Sequence, residues 1–382
     1  VVNVGVVGLG KMGLSHFSII NAHRDTKVVG LCDSSGYILD ILTKYTGVKT
    51  YSNLETMLDG ADVDAVVIAT PSKYHAPMVR TCLERGVHVF CEKPFCLDPA
   101  DSIALAQLAS DKRLVTQVGY HNRHIATFRE VKRLLDSGVL GTVTHALAEA
   151  YGPVVLKPKG GTWRSKKEEG GGALYDYAAH PADILTWYFG RPESISGTVL
   201  GKVFSAETED EVFTTLIWPG GVTGQLSVSW SDESHRKMTT CVSIWGTNGK
   251  IVVDRQELRV YLRDATHAPE GYAKGWTVRY TTELTDEVDF YVRGEEYSAQ
   301  VDVWLKRIGQ SAVRGTGDFI EASVTDEVLN TICNNTDGAL RHLDPQADVS
   351  DGKSASAART GFWTRLKNRP RNHRLRAESR YQ

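Results

Sequence analysis

The chain has 382 residues, 41% hydrophobic and 24% charged, with a formal net charge of −2; this length predicts two domains, and the charge balance excludes a nucleic-acid-binding body. No apolar run is long enough to span a bilayer, and Val1 leads into strand without a basic, apolar leader, so neither a membrane anchor nor a secretory signal is expected. Six cysteines without CxxC spacing or a paired framework read as reduced thiols in a cytoplasmic protein, and no metal site is expected.

Val2 to Val7, broken by Gly5, reads as a first buried strand. It runs into Gly8-Leu9-Gly10-Lys11-Met12-Gly13 and a helical pattern to about Ala22, which is GxGxxG between a strand and a helix. Gly8 permits the tight turn, Gly10 lets backbone approach a pyrophosphate, and Gly13 lets helix and strand pack closely. The first turn, with Lys11 and Met12, offers N–H groups and a positive dipole end to the phosphates. A second strand, Lys27 to Cys32, ends in Asp33, twenty residues after Gly13. Its carboxylate can accept from the adenosine ribose hydroxyls and repels a 2′-phosphate, so NAD is expected over NADP. Ser34 stands beside it at the cofactor, and with Ser35 leaves some room for a phosphate.

A helix (about Gly36 to Tyr45), a strand at Thr50-Tyr51 and a helix from Asn53 to Leu58 follow. Asn53 with Thr56 fits a helix start only loosely, because no Glu or Gln stands three residues on. Asp64 to Ala69 is the next buried strand, ending in Thr70-Pro71-Ser72-Lys73-Tyr74-His75 before a helix from Ala76 to Arg85. Strands alternating with helices predict a parallel sheet with right-handed crossovers, which places Thr70 and Pro71 over the cofactor. His75 either touches the nicotinamide region or merely opens the helix. Val87 to Cys91 is a further strand and stops in Glu92-Lys93-Pro94. Ligands of doubly wound sheets bind outside the carboxyl ends of the strands, and proline stiffens the turn and restricts the residue before it. Lys93 is therefore a catalytic candidate, with Glu92 and Pro94 on the cofactor side. Asp98 is expected to cap a helix from Pro99 to Ser110. A sixth strand, Val115 to Gly119, ends in Tyr120-His121-Asn122-Arg123-His124, from which Tyr120, Asn122 and Arg123 are expected to read substrate hydroxyls. Residues 1–121 thus read as an NAD-binding Rossmann domain.

After a helix from Ala126 to Asp136, β-rich runs replace the alternation: 143–151, 194–204, 211–218, 222–230, 239–246, 250–254, 257–263 and 276–283. Gly220-Gly221 and Asn248-Gly249 are hairpin signals. This predicts an α+β domain over 122–344, an open, mostly antiparallel sheet flanked by helices at Ala173–Phe189, Glu295–Gln310 and Phe319–Asn334. An exposed face of that sheet would join subunits into a homodimer or homotetramer. Residues 345–382 hold nine Lys/Arg against three Asp/Glu and read as a basic extension, solvated or anchored to a subunit through Phe362–Leu366.

Gly170-Gly171-Gly172-Ala173-Leu174-Tyr175-Asp176-Tyr177-Ala178-Ala179-His180-Pro181 is the second informative stretch. The glycines allow a close approach. Asp176 and His180 stand at i and i+4, on one face of a helix, where the carboxylate would orient the imidazole and raise its basicity. Pro181 predicts a bend at His180. Oxidising an alcohol needs a hydride acceptor, a base, and a donor or cation that steadies the developing alkoxide. His180 suits the base; Lys93 suits the cation, or is itself the proton carrier.

GLGKMG, the ATPSKYH loop, CEKPF, GTWRSKKEEGGGALYD and D-x-x-x-H together resemble the Gfo/Idh/MocA family of oxidoreductases, over about residues 1–335. The resemblance implies a Rossmann domain followed by an open sheet domain, often dimeric or tetrameric through that sheet. It implies a catalytic Lys-Pro turn at Lys93-Pro94, frequently cis, and an Asp/His pair at Asp176 and His180 with the histidine as acid/base. Trp163 and Arg164 look like the family's substrate-side pair. Two positions depart from the pattern: Ala178, where many relatives have glycine, and Ser72, where asparagine is common near the nicotinamide. Tyr151 is a further candidate for hydroxyl readout. The basic loop Lys157–Lys167 either greets an anionic substrate or is simply solvated. The expected activity is NAD-dependent oxidation of a secondary hydroxyl of a cyclitol, sugar or sugar derivative. The rivals are a sugar-nucleotide 3-dehydrogenase, an NAD-dependent glycoside hydrolase working by transient oxidation, and a non-catalytic NAD-binding regulator. The last has no need of Lys93, Asp176 and His180 together.

Overall fold

The computed structural model describes residues 1–158, 162–288, 291–335 and 341–342; the basic extension expected from 345 lies outside them. The chain opens with β1 (Val2–Val7), α1 (Lys11–Ala22), β2 (Thr26–Cys32), α2 (Gly36–Thr46), β3 (Thr50–Tyr51), α3 (Leu54–Gly60), β4 (Ala65–Ile68), α4 (His75–Glu84), β5 (His88–Cys91), α5 (Pro99–Asp111) and β6 (Thr116–Val118). These strands pair in the order β3-β2-β1-β4-β5-β6, every pair parallel. Ala65–Ile68 is an unbroken apolar run because the strand is buried on both faces. The register aligns Val7 with Ile68, Ile68 with Cys91, and Cys91 with Val118. Gly8, Thr70, Glu92 and Tyr120 therefore leave the sheet along one edge. Asn53 caps α3 by accepting from Thr56 N–H at 2.8 Å, so the cap forms without the partner the sequence lacks. Asp98 caps α5 as expected, accepting from Ala100 N–H at 2.9 Å.

Next come α6 (Ala126–Asp136), β7 (Val143–Tyr151), α7 (Ala179–Phe189), β8 (Ser194–Lys202), β9 (Glu211–Ile217), β10 (Thr223–Ser229) and β11 (Cys241–Gly246). After them stand β12 (Gly249–Val253), β13 (Glu257–Leu262), β14 (Gly275–Tyr280), α8 (Thr281–Leu284), α9 (Glu295–Gly309) and α10 (Phe319–Asn334). The second sheet runs β14-β13-β12-β11-β7-β10-β9-β8, antiparallel except where β7 pairs with β10. Along β7, Ala146, Ala148 and Ala150 are buried on the side where α7 lies close. His145, Leu147, Glu149 and Tyr151 alternate onto the other, half-exposed face. Tyr151 is thereby corrected as a substrate residue. The strand period turns it away from α7, and its hydroxyl pairs with Ser227 Oγ at 2.6 Å.

The helix α9 packs back on the first sheet. Val301, Trp304 and Leu305 share a core with Val4, Val6, Ile19, Ile20 and Phe90, and Trp304 meets Phe90 edge-on at 5.7 Å. The last helix, α10, lies against α5 and α7. The change of pattern near residue 121 is therefore no break in packing, and Val1–Arg341 form one compact unit. The helix expected from Ala173 bends differently from expectation: a wide π turn at Leu174–Ala178 precedes α7. Pro181 then falls in the first turn of α7, where a missing N–H is tolerated. The irregularity lies ahead of His180 rather than at Pro181.

Candidate active site

The cradle for a dinucleotide is built from the glycines. Gly8 has φ 84°, and a Cβ there would fall 2.7 Å from the Ala69 carbonyl and Thr70 N. A Cβ at Gly13 would fall 1.7 Å from Gly8 O, whereas nothing lies within 4 Å of one at Gly10. The N-terminus of α1 at Gly10 has no side-chain cap and no acid in its first turn, so the N–H groups of Lys11, Met12 and Gly13 keep their donor capacity. A close, positive and unfilled approach of this kind fits a pyrophosphate. Asp33 accepts from Leu9 N–H at 2.6 Å and from Ser35 N–H at 2.8 Å. These bonds fix its carboxylate at the end of β2 and leave lone pairs for ribose hydroxyls. Ser34 is exposed beside it.

Beyond β5 the Lys93–Pro94 bond is cis, and three buried groups hold this turn. Glu92 Oε1 meets His16 Nε2 at 2.7 Å, while Glu92 Oε2 accepts from Lys93 N–H at 3.2 Å. Asp326 of α10 accepts from Cys96 N–H at 2.9 Å. His75 Nδ1 lies 2.9 Å from Pro94 O and 3.2 Å from Phe95 O, and its Nε2 lies 2.9 Å from Thr70 O. A carbonyl oxygen faces each nitrogen, and a neutral imidazole donates to one of them and packs beside the other, so the buried ring is not free for the nicotinamide. It ties the Thr70–Tyr74 loop to the Lys93 turn instead. Burial would raise the Glu92 carboxyl, but His16 and Lys93 hold it below its ordinary value.

Lys93 Nζ reaches across to the π turn, where it donates to Asp176 O at 2.9 Å and Oδ1 at 3.0 Å. Arg164 Nε donates to Asp176 Oδ2 at 2.8 Å, with its guanidinium 4.6 Å over the Trp163 ring. The glycine run brings this about. A Cβ at Gly171 would fall 2.4 Å from Arg164 O, and one at Gly172, with φ 104°, would fall 2.0 Å from Glu209. Glu169 meets both Lys73 and Lys166 at 3.3 Å, which joins this loop to the Thr70–Tyr74 loop. Burial would raise the Asp176 carboxyl, yet Lys93 and Arg164 hold it below the ordinary carboxylate value.

Asp176 does not orient His180, contrary to expectation. Both carboxylate oxygens are taken by cations, which attract it more strongly than a neutral imidazole does. His180 is buried, and its Nδ1 has no partner among the described residues. Burial, then Lys93 and His121, hold it well below 6.5, so it is neutral and able to accept a proton. His121 meets His180 edge-on at 5.0 Å and stacks on Tyr297 of α9 at 4.8 Å. Burial pushes His121 down to about 3, with Glu92 opposing and Lys93, Arg255 and Arg293 adding.

Three more expected substrate residues are buried. Arg123 makes bonds of 2.8 and 2.7 Å to buried Asp183 and a further one to Glu321, so it is a core ion pair rather than a hydroxyl reader. Tyr120 is buried, and burial raises its hydroxyl well above the ordinary value. Asn122 is also buried, with Nδ2 unpartnered among the described residues. The structure brings together Lys93, Trp163, Arg164, Asp176 and His180, and adds His121, Tyr297 and His16. His121 stood in the polar cluster after β6; nothing in the sequence near Tyr297 or His16 signalled their partners.

Residues 2–120 match the family model described as "Oxidoreductase family, NAD-binding Rossmann fold", and residues 128–252 match "GFO/IDH/MocA C-terminal domain". The inositol 2-dehydrogenase of Rhizobium meliloti is 25% identical over 315 residues, covering 78% of this chain and 90% of that protein. The 2,7-anhydro-N-acetylneuraminate hydratase of Escherichia coli is 26% identical over 296 residues, 75% of each chain. Among solved structures, levoglucosan dehydrogenase in complex with NADH superposes with a TM-score of 0.76 at 20% identity, over 87% of this chain and 96% of that one; that likeness concerns the fold. The chain therefore belongs to the Gfo/Idh/MocA oxidoreductase family, with an N-terminal NAD-binding Rossmann fold and the family's C-terminal domain.

Proposed function

We propose that this enzyme transfers hydride between NAD and a secondary hydroxyl carbon of a cyclitol, sugar or sugar derivative. The observation that carries the reading is the meeting of Lys93 with Asp176, 83 residues apart in sequence, beside neutral His180 at the edge where the dinucleotide cradle opens. NAD, when bound, supplies the hydride acceptor. His180 takes the hydroxyl proton as general base. Lys93, pinned by Asp176, donates to the oxygen as negative charge develops there. Arg164 and Trp163 line the substrate side, and Asp33 favours NAD. The name of the Rhizobium meliloti relative supports a cyclitol.

A panel of inositols, aldoses, uronic acids and nucleotide sugars with NAD, read by NADH absorbance, tests this. Lys93→Met and His180→Ala should each lower turnover of the true substrate by about 100-fold or more while leaving NADH binding nearly intact. Full activity in either variant overturns the assignment. A second reading, transient oxidation without net redox, has the hydratase relatives behind it. It predicts product by chromatography with no net NADH.

The open face of the second sheet carries Tyr261, Trp276, Val278 and Tyr280 across β13 and β14, with Trp276 58% exposed. A second copy packing there would cover this row. Sedimentation of Trp276→Lys beside wild type tests it, and an unchanged mass refutes it. Among the described residues no helix is long and apolar enough to cross a membrane, and none of the six cysteines forms a disulfide.

A further inference from the structure

A buried histidine on the strand-facing side of α1 needs a reason. His16 is fully buried among Gly13, Ile19 and Ile20, in contact with Phe90 at a ring distance of 4.9 Å. Packing alone would favour an aliphatic side chain there, since a buried imidazole costs free energy unless it is bonded. Its bond is to Glu92, at 2.7 Å. Glu92 is itself buried and accepts from the Lys93 N–H with its other oxygen. The fold leaves room for this carboxylate at Gly119, where a Cβ would fall 3.0 Å from it.

We propose that His16 is a positioning residue. Through Glu92 it fixes the backbone of Lys93, and so couples the dinucleotide-binding helix to the amine that serves the reacting oxygen. Neither His16 nor Glu92 touches that amine. Lys93 is held at two ends: its N–H by Glu92, its Nζ by the carbonyl and carboxylate of Asp176. The outcome is one hydrogen-bonded path, His16–Glu92–Lys93–Asp176–Arg164, running from α1 to the loop before the π turn. Loss of His16 frees the backbone end, and the amine then samples positions away from Asp176.

The inference rests on the reading of Lys93 as part of the site, but its test needs no turnover. Wild type, His16→Phe, His16→Gln and Glu92→Gln are treated with an amine-acylating reagent, and the rate at the Lys93 peptide is followed by mass spectrometry, with Lys250 as reference. Phenylalanine keeps the ring and loses the bond. Glutamine at 16 restores a donor. At position 92 an amide has one oxygen, so it can keep the Lys93 N–H or the His16 Nε2–H but not both. The expected result is acylation of Lys93 about tenfold faster in His16→Phe and Glu92→Gln, a change matching the loss of one charge-assisted bond, with recovery in His16→Gln and Lys250 unchanged. For His16→Phe and His16→Gln the NADH dissociation constants should stay within about threefold, because the glycine cradle is untouched. If Lys93 and Lys250 accelerate together, the variant has only loosened the fold, and if Lys93 does not accelerate, His16 does not position it; either result overturns the proposal. Should His16→Phe fail to fold, Glu92→Gln decides the matter on the same readout. A wild type that oxidises no sugar, with Lys93 still accelerated in the variants, would refute the proposed function and leave this inference standing.

Discussion

Replacing Asp176 by Asn removes one negative charge and little volume from between two cations. The carboxylate side chain is 11% exposed, Lys93 16% and Arg164 40%. The Lys93 contact is nearly dry, and a charge-assisted bond there is worth about 2 kcal/mol. The Arg164 contact is open to solvent and screened, so it adds about 0.5 kcal/mol. Asparagine retains an oxygen for one cation, and Lys93 keeps the Asp176 backbone carbonyl at 2.9 Å. The expected loss of folding stability is therefore about 2 kcal/mol at neutral pH, measured by urea unfolding on tryptophan fluorescence. The sign with pH follows from the depressed carboxyl. Its stabilising share is complete above the unfolded value of about 3.9 and disappears as pH falls through the lower folded value. The difference between wild type and variant should hold constant from about pH 8 to 5 and shrink only in stronger acid. A difference below about 0.5 kcal/mol, or one that shrinks between pH 8 and 5, refutes the reasoning. Turnover should fall more than stability suggests, because Lys93 would lose its fixed direction.

Three other outcomes are expected. Because His180 titrates well below 6.5, kcat/KM for alcohol oxidation should stay level as pH falls from neutrality through that value, and decline only in more acid solution as the base becomes protonated; an acid limb at or above 6.5 in the pH–rate profile contradicts this. Asp33→Ala should shift the ratio of NADPH to NADH dissociation constants toward NADPH by about tenfold, through loss of the ribose acceptor and of repulsion, and an unchanged ratio sinks the cofactor assignment. Arg123→Met leaves Asp183 buried without its cation and should cost about 3–5 kcal/mol of stability with little change in substrate KM; a raised KM at native stability would restore Arg123 as a substrate residue.

The legible parts of this chain are those whose physics is local. Glycine spacing at Gly8, Gly10 and Gly13, the acid at the end of β2 and the proline after Lys93 act within a few residues of themselves, and the structure places each where the spacing implied. Alternation along β7 was equally readable, yet its phase relative to the site was not: only the packing of α7 on Ala146, Ala148 and Ala150 decides that Tyr151 faces away. Arg123 shows the same limit. A cluster of polar residues after β6 looks like a substrate wall until Asp183, sixty residues on, and Glu321 claim the guanidinium.

The exchange of partners at Asp176 has the largest chemical consequence. Helical spacing alone pairs it with His180, which would make the histidine more basic. Long-range folding instead brings Lys93 and Arg164 to both carboxylate oxygens. The anion is then spent on the two cations, and His180 is left buried beside Lys93 with its affinity for protons reduced. A weaker base is also one that stays unprotonated over a wider pH range. In the proposed reaction the site would separate its two duties: the charge that steadies the developing alkoxide would sit on Lys93, and the lone pair that takes the proton on a histidine kept neutral.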